Sequence, residues 1–215
     1  MPAFNPAKGL FVTFEGPEGS GKTTQKKLLS ERLQKLGHDL VLTREPGGTA
    51  IGEHIRTLLL SPRNTQFDRM AEIFLFMADR AQHLSEVVLP AIQAGKVILC
   101  DRYVDSTLAY QVGGRKMSEA LLLDLNALSS QGLTPQRTYL FRVLPEIGLR
   151  RATQNGADRF EIEKLDFHQR VLDKYLQLAE QAPQRILVLD ATQSIESIHE
   201  QIWEDFEKLL SQHGQ

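Results

Sequence analysis

The chain has 215 residues, a single cysteine and a formal net charge of −2. That length suits one α/β domain with a sizeable core, the charge offers no general attraction to nucleic acid or anionic lipid, and one cysteine excludes an internal disulfide framework or a multi-cysteine metal site. No stretch approaches the ~18 to 20 apolar residues of a membrane span and the opening MPAFNPAKG lacks the apolar core of a secretory signal, so the expectation is a cytoplasmic protein with neither nucleic acid nor membrane as partner.

The first predicted strand is FVTFE, residues 11–15. It runs straight into Gly16-Pro17-Glu18-Gly19-Ser20-Gly21-Lys22-Thr23, which matches G-x-x-x-x-G-K-[ST], the phosphate-binding loop or P-loop. Several successive backbone N–H groups must turn toward one point to cradle a polyphosphate, and Gly16, Gly19 and Gly21 remove the side chains that would block it. Lys22 supplies a cation to the β- and γ-phosphates and Thr23 a hydroxyl to magnesium, while the helix carrying Thr24 points its positive end at the anion. That helix is predicted from Thr23 to Leu36, with Leu28, Leu29, Leu33 and Leu36 on one face and Gly37 as its stop.

DLVLT at 39–43 is the second strand, and Pro46-Gly47-Gly48 forces a loop over residues 44–49 before helical spacing resumes from Ile51 to Leu60. Met70 to Ala94 reads as one long or broken helical segment with Pro90 at a kink or restart. KVILCD at 96–101 is the third strand, with Cys100 as a small core residue. Leu121 to Leu128 belongs to a helix, TYLFRV at 138–143 is the fourth strand, and residues 165–181 are helical. RILVLD at 185–190 is the fifth strand, Ile195 to Leu210 closes the chain as a helix, and Thr153 to Gly156 is polar enough for a mobile loop.

Strands that alternate with helices imply a parallel sheet covered on both faces, with ligands at the carboxyl ends of the strands. Three loops then meet over one cleft: the P-loop, Arg44-Glu45-Pro46-Gly47-Gly48, and Asp101-Arg102-Tyr103. Asp101 ends an apolar strand as a Walker-B-like acid does, holding magnesium directly or through water; the alternative is an N-cap of the next helix. Arg44, Arg56, Arg80 and Arg102 either converge on a second phosphate or are solvated surface groups.

FEGPEGSGKTTQ at 14–25, TREPGGT at 43–49, FLFMADRAQH at 74–83, DRYVDSTLAYQ at 101–111 and GADRFE at 156–161 together resemble the thymidylate kinase family of nucleoside monophosphate kinases, its bacterial members in particular. The resemblance covers nearly the whole chain. It implies a three-layer P-loop fold with a five-stranded parallel sheet, read here as one kinase domain over residues 1–215 with a short lid at about 149–161. The implied reaction moves the γ-phosphoryl group of ATP to thymidine 5'-monophosphate (dTMP) with magnesium, in a homodimer. Residue by residue, it assigns Phe76 to stack on thymine, Arg80 and Gln111 to bond the base, and Thr107 to lie near the methyl group. Tyr110 would fill the space of a ribose 2'-hydroxyl and Glu18 would approach the sugar 3'-hydroxyl or the metal shell. Arg44, Arg56 and Arg102 would hold the acceptor phosphate, with Glu45 orienting arginines beside it. Core packing is the alternative for Phe76, and a solvated acid the alternative for Glu18.

Phosphoryl transfer requires positioning, charge neutralisation and exclusion of water, so a lid is expected on chemical grounds. Family members with glycine at the position of Gly19 place arginines in the lid instead, and Arg151, then Arg159, then Arg150 are the candidates in this chain. Thr153, Gln154 and Asn155 stand where lid arginines are common, Arg142 replaces an acid of the fourth strand, and Val112 replaces a glycine. A kinase for another monophosphate would share all but Phe76, Arg80, Thr107, Tyr110 and Gln111. A GTPase-like switch would need Asn-Lys-x-Asp and Asp-x-x-Gly motifs, which the sequence lacks. Against a nucleotide sensor that keeps the fold but has lost turnover stands the presence of Lys22, Thr23, Asp101 and the arginine set of Arg44, Arg56, Arg80 and Arg102.

Overall fold

The computed structural model describes residues 9–64, 66–153 and 157–213. In chain order the elements are β1 (Leu10–Glu15), α1 (Lys22–Lys35), β2 (Leu40–Arg44), α2 (Ala50–Leu60) and α3 (Arg69–His83), which passes through a π-helical turn (Leu84–Val88) into α4 (Leu89–Gln93). Then come β3 (Val97–Asp101), α5 (Val104–Thr107) with a π-helical continuation (Leu108–Gly114), α6 (Glu119–Ser130), β4 (Arg137–Arg142), α7 (Pro145–Ala152), α8 (Leu165–Gln181), β5 (Ile186–Asp190) and α9 (Ile195–His213).

The strands form one parallel sheet in the order β2-β3-β1-β4-β5, the expected architecture with helices on both faces. Strand β1 is buried along its whole length, and its side chains divide by the two-residue period of a strand. Leu10, Val12 and Phe14 pack toward Leu29 and Leu33 of α1 and Ile202 and Phe206 of α9, whereas Phe11 packs on the other face with Leu84, Val88 and Tyr103. Each such large apolar side chain taken from water contributes roughly 1.5–3 kcal/mol. Register is what assembles the site: Phe14 aligns with Asp101 and Asp101 with Arg44, so the loops after β1, β2 and β3 leave the sheet at one level.

Helix starts follow capping chemistry. Thr49 accepts from Gly52 N–H ahead of α2, Asp68 from Met70 and Ala71 N–H ahead of α3, and Ser118 from Leu121 N–H ahead of α6. The expected break in the Met70 to Ala94 segment is the π-helical turn, with Pro90 directly after it in the first turn of α4. Two helical pieces were not expected: residues 104–114, where a β-branched and polar run hides the helical spacing, and α7, which occupies the first part of the predicted lid. Thr153 caps α7, and Gln154, Asn155 and Gly156 lie outside the described residues.

Candidate active site

Between β1 and α1 the P-loop bends sharply around Gly16. Its φ is 137°, and a side-chain carbon there would meet the Phe141 carbonyl oxygen at 2.5 Å. Helix α1 starts from Gly21 with no side-chain cap, which leaves its first N–H groups to an anion. Lys22 is buried and donates from Nζ to the carbonyl oxygens of Gly16 (3.0 Å) and Pro17 (2.8 Å). Burial and the neighbouring Arg102 bring its pKa down to about 8, with Glu18 and Asp101 opposing.

A first cleft of about 750 Å³ is lined by residues 18–24 of this loop with Arg44, Glu45, Arg56, Asp101 and Arg102. Thr23 and Asp101 thus share a wall, and Asp101 Oδ1 is buried with no hydrogen-bond partner among the described residues. A lone oxygen acceptor beside a hydroxyl suits a hard cation that keeps most of its ligands from water and phosphate. No group of three or more metal-ligating side chains exists among the described residues.

A second cleft, about 620 Å³ with the space open to solvent included, lies alongside. It is lined by Phe76, Arg80, Thr107, Tyr110 and Gln111, together with Leu60, Asp158 and Phe160. Glu18, Glu45, Arg56 and Arg102 line both clefts.

Arg102 stands at that boundary. It is a non-glycine residue at φ 69°, a backbone strain of the kind that persists where the surroundings over-determine it. Its guanidinium donates to Glu18 Oε1 at 2.7 Å, to the Gly16 carbonyl at 3.1 Å, and to the Tyr110 and Tyr175 hydroxyls at 3.2 Å. Burial pushes the Glu18 carboxyl up, but Arg102, Lys22 and the Tyr110 hydroxyl outweigh it and hold the pKa at about 2. Beneath this group lies Glu15, fully buried, accepting from Tyr103 N–H at 2.7 Å and from the Ser106 and Tyr175 hydroxyls. Burial and Asp105 raise its pKa to about 7. Glu15 therefore fixes the loop that carries Arg102.

Arg80 is held on three sides: Nε donates to Glu45 Oε2 (2.8 Å), Nη1 to Asn126 Oδ1 (2.6 Å) and Nη2 to Thr107 Oγ1 (2.9 Å). Glu45 is in turn fixed by His83 Nδ1 at 2.9 Å, whose Nε2 meets Thr43 Oγ1 at 2.6 Å. So Glu45 does orient an arginine, but the arginine is Arg80 of the second cleft, and not Arg44 or Arg56. Arg44 pairs with the exposed Glu53 at 2.8 Å, and Arg56 donates to the Pro46 carbonyl at 2.9 Å.

The lid arginines separate. Arg151 sits against the P-loop, its Cβ 3.1 Å from where a Gly19 side chain would begin, and donates to the Ala191 carbonyl at 3.3 Å. Arg150 is exposed. Arg159, expected over the cleft, is buried, donates to the Leu59 carbonyl at 2.8 Å and pairs with Glu72 of α3, lining a neighbouring cavity with Phe67 and Arg115. Two anchors for its guanidinium outcompete the solvent-facing position. Arg142 pairs with Asp190 at 3.4 Å, and Val112 packs in the core around Tyr110. Glu15, Glu72, His83, Ser106, Asn126, Phe160 and Tyr175 were missed by sequence reasoning. Glu15, His83, Ser106 and Phe160 lie within the stretches that carry the resemblance, whereas Glu72, Asn126 and Tyr175 had no local signal; the Phe160 ring centroid lies 6.1 Å from Phe76 and 5.7 Å from Tyr110.

Residues 14–202 match the family model described as thymidylate kinase. A thymidylate kinase of Solidesulfovibrio magneticus is 46% identical over 209 residues, covering 94% of this chain and 100% of that protein. One from Enterococcus faecalis is 48% identical over 197 residues, 90% of this chain and 93% of its own. The crystal structure of thymidylate kinase from Ehrlichia chaffeensis superposes with a TM-score of 0.75 at 32% identity, covering 92% of this chain and 98% of that one.

Proposed function

Because the chain belongs to the thymidylate kinase family, its reaction is transfer of the γ-phosphoryl group of ATP to dTMP, giving ADP and thymidine 5'-diphosphate for dTTP synthesis, and we propose that its two clefts divide donor from acceptor. The observation that carries this reading is the shared wall: Glu18, Arg56 and Arg102 line both clefts, where the transferring phosphoryl group must pass. The P-loop, Gly16 to Thr24, takes the ATP polyphosphate. Phe76, Arg80, Thr107 and Gln111 take the base.

The attacking oxygen belongs to the acceptor phosphate and is already anionic, so the protein needs to neutralise charge and align two anions more than to remove a proton. Lys22 now bonds neutral carbonyls; a polyphosphate offers it a charged acceptor and stabilises its ammonium form. Arg102, fixed by Glu18 and lodged between the clefts, stays at the point where the bond to the β,γ-bridging oxygen breaks and the new P–O bond forms. Arg44 and Arg56 hold the acceptor phosphate, and Arg151 of α7 supplies lid charge. Magnesium would be held by Thr23 and Asp101 and would neutralise phosphate oxygens of the donor.

Residues 1–215 act as one kinase domain with its lid at about 149–161. No helix among the described residues is long and apolar enough to cross a membrane. The proposed compartment is the cytoplasm, in keeping with Cys100 as a free, buried thiol. The proposed assembly is a homodimer. Leu121 and Leu128 on α6 and Ile51 and Leu58 on α2 are exposed seven residues apart, hence on one face of each helix, with Phe74 of α3 exposed between them. A second copy would cover that layer.

ADP release with each common monophosphate as acceptor tests the reading. The expected order of kcat/KM at saturating ATP is dTMP, then deoxyuridylate lower by about ten- to a hundredfold because only the methyl group differs, then deoxycytidylate far behind. A preference for deoxycytidylate or for a purine acceptor would overturn the roles given to Arg80 and Gln111.

A further inference from the structure

An amide side chain has a donor end and an acceptor end of nearly equal size, so which end faces a base decides which base is accepted. Gln111 lines the base cleft from the π-helical stretch after α5 and is 1% exposed. Its Nε2 donates to Glu72 Oε1 at 2.9 Å, while its Oε1 is buried without a hydrogen-bond partner among the described residues.

Glu72 is 2% exposed and is itself fixed: Arg159 pairs with its Oε2, and Arg115 Nε lies 3.5 Å from its Oε1. An ion-paired carboxylate only accepts, so Gln111 must offer it the NH2 end. The carbonyl end is left for the cleft. An unpaired acceptor there is complementary to a ring N–H, which thymine and uracil present at N3; cytosine presents a lone pair at that atom.

We propose that Glu72 is a positioning residue for base choice, locking the Gln111 amide so that only its oxygen is offered to the pyrimidine ring. This rests on the reading of Gln111 as a base contact. Without the lock the amide rotates by half a turn and offers its NH2 to the N3 lone pair of cytosine. Loss of Glu72 then weakens dTMP and favours deoxycytidylate together. A merely structural role would lower both acceptors in proportion.

The test is the ratio of kcat/KM for dTMP to that for deoxycytidylate in Glu72→Gln, Gln111→Leu and the double variant, with folding checked by thermal melting. Glu72→Gln keeps the shape but can either donate or accept, so the ratio should fall about tenfold or more. Gln111→Leu should lower it at least as far, and adding Glu72→Gln to Gln111→Leu should leave the ratio unchanged. If Glu72→Gln does not fold, Glu72→Asp keeps the charge for Arg159 while drawing back from Gln111, and the same fall is expected. An unchanged ratio in the folded Glu72 variant, with a lowered ratio in Gln111→Leu, overturns the lock alone. An unchanged ratio in Gln111→Leu overturns the base contact on which it rests.

Discussion

Gly19 of the P-loop and Gly148 of α7 are in backbone contact: a side-chain carbon on Gly19 would lie 2.0 Å from the Gly148 carbonyl oxygen, and one on Gly148 would lie 2.4 Å from the Glu18 carbonyl oxygen. Helix α7 is therefore laid directly on the phosphate loop, and Gly19 also has a left-handed φ of 63° that strains any other residue. Gly19→Ala must push the two apart. We predict a kcat lower by at least about tenfold together with a lower Tm, since small misplacements of catalytic groups are costly. Wild-type kcat and Tm in that variant would show that the contact is not needed.

The same contact ranks the lid arginines. Arg151 begins beside Gly19, Arg150 points roughly 100° away around the helix, and Arg159 is spent on Glu72 and the Leu59 carbonyl. Arg151→Ala is expected to lower kcat by about 10²–10³, the scale of one transition-state charge contact. Arg150→Ala should be near wild type, and Arg159→Ala should lower Tm more than kcat. Three equal, small losses in kcat would count against a dedicated lid arginine.

A charge aimed at the transferring phosphoryl group matters more in the transition state than in the bound substrate. Lys22→Ala should thus depress kcat by orders of magnitude while melting close to wild type, because in the free protein the Lys22 ammonium donates to the Gly16 and Pro17 carbonyls and the Ser20 hydroxyl of its own loop. Near-normal turnover of the purified variant would falsify the P-loop assignment.

The sheet and the P-loop were legible in the sequence because both are local: a short apolar run marks β1 as a buried strand, and the glycines before Lys22 are the loop's own backbone chemistry. What was hidden is pairing between distant residues. Gln111 finds Glu72 across 39 positions, His83 finds Glu45 across 38, and Tyr175 finds Glu15 across 160. Nothing in a polar residue's neighbours announces such a partner. Glu45 shows the consequence: its presence in the site was legible, but the arginine it holds was set by the crossing of α3 under the β2 loop.

Asp79 offers a test of the electrostatics. Its Oδ1 accepts from Gly47 N–H at 2.8 Å and its Oδ2 is buried without a partner among the described residues. Burial, then the nearby Glu45, raises its pKa to about 7. An unfolded aspartate loses its proton near ~3.9, so between those values the folded form binds more protons and stability falls as pH rises. Asp79→Asn keeps an oxygen for Gly47 and removes the ionisation. The Tm of the variant relative to wild type should be little changed at pH 5 and higher at pH 8, by roughly 2–4 °C per kcal/mol. Glu15, which titrates in the same range, is common to both proteins and cancels. A Tm difference that stays flat with pH would refute the burial account.

Choice of sugar should divide between two parts of Tyr110. Its ring is packed edge-on against Phe160, Phe167 and Tyr175, a rigid wall that on the proposed reading excludes a 2'-hydroxyl. Its own hydroxyl donates to Glu18 Oε1 at 2.9 Å and accepts from Arg102 at 3.2 Å, so it helps hold the boundary between the clefts. Removing the ring and removing the hydroxyl are then different experiments. Tyr110→Ala should raise kcat/KM for uridylate relative to deoxyuridylate, by about tenfold if the wall is purely steric. Tyr110→Phe should keep the deoxy preference and lower kcat by a smaller factor, since one hydrogen bond to a charged group is worth roughly 1.5–3 kcal/mol and Arg102 still holds Glu18. Both variants are read with the two uridine acceptors at saturating ATP. If Tyr110→Phe relaxes the sugar preference as far as Tyr110→Ala, discrimination comes from the hydroxyl network and not from the ring.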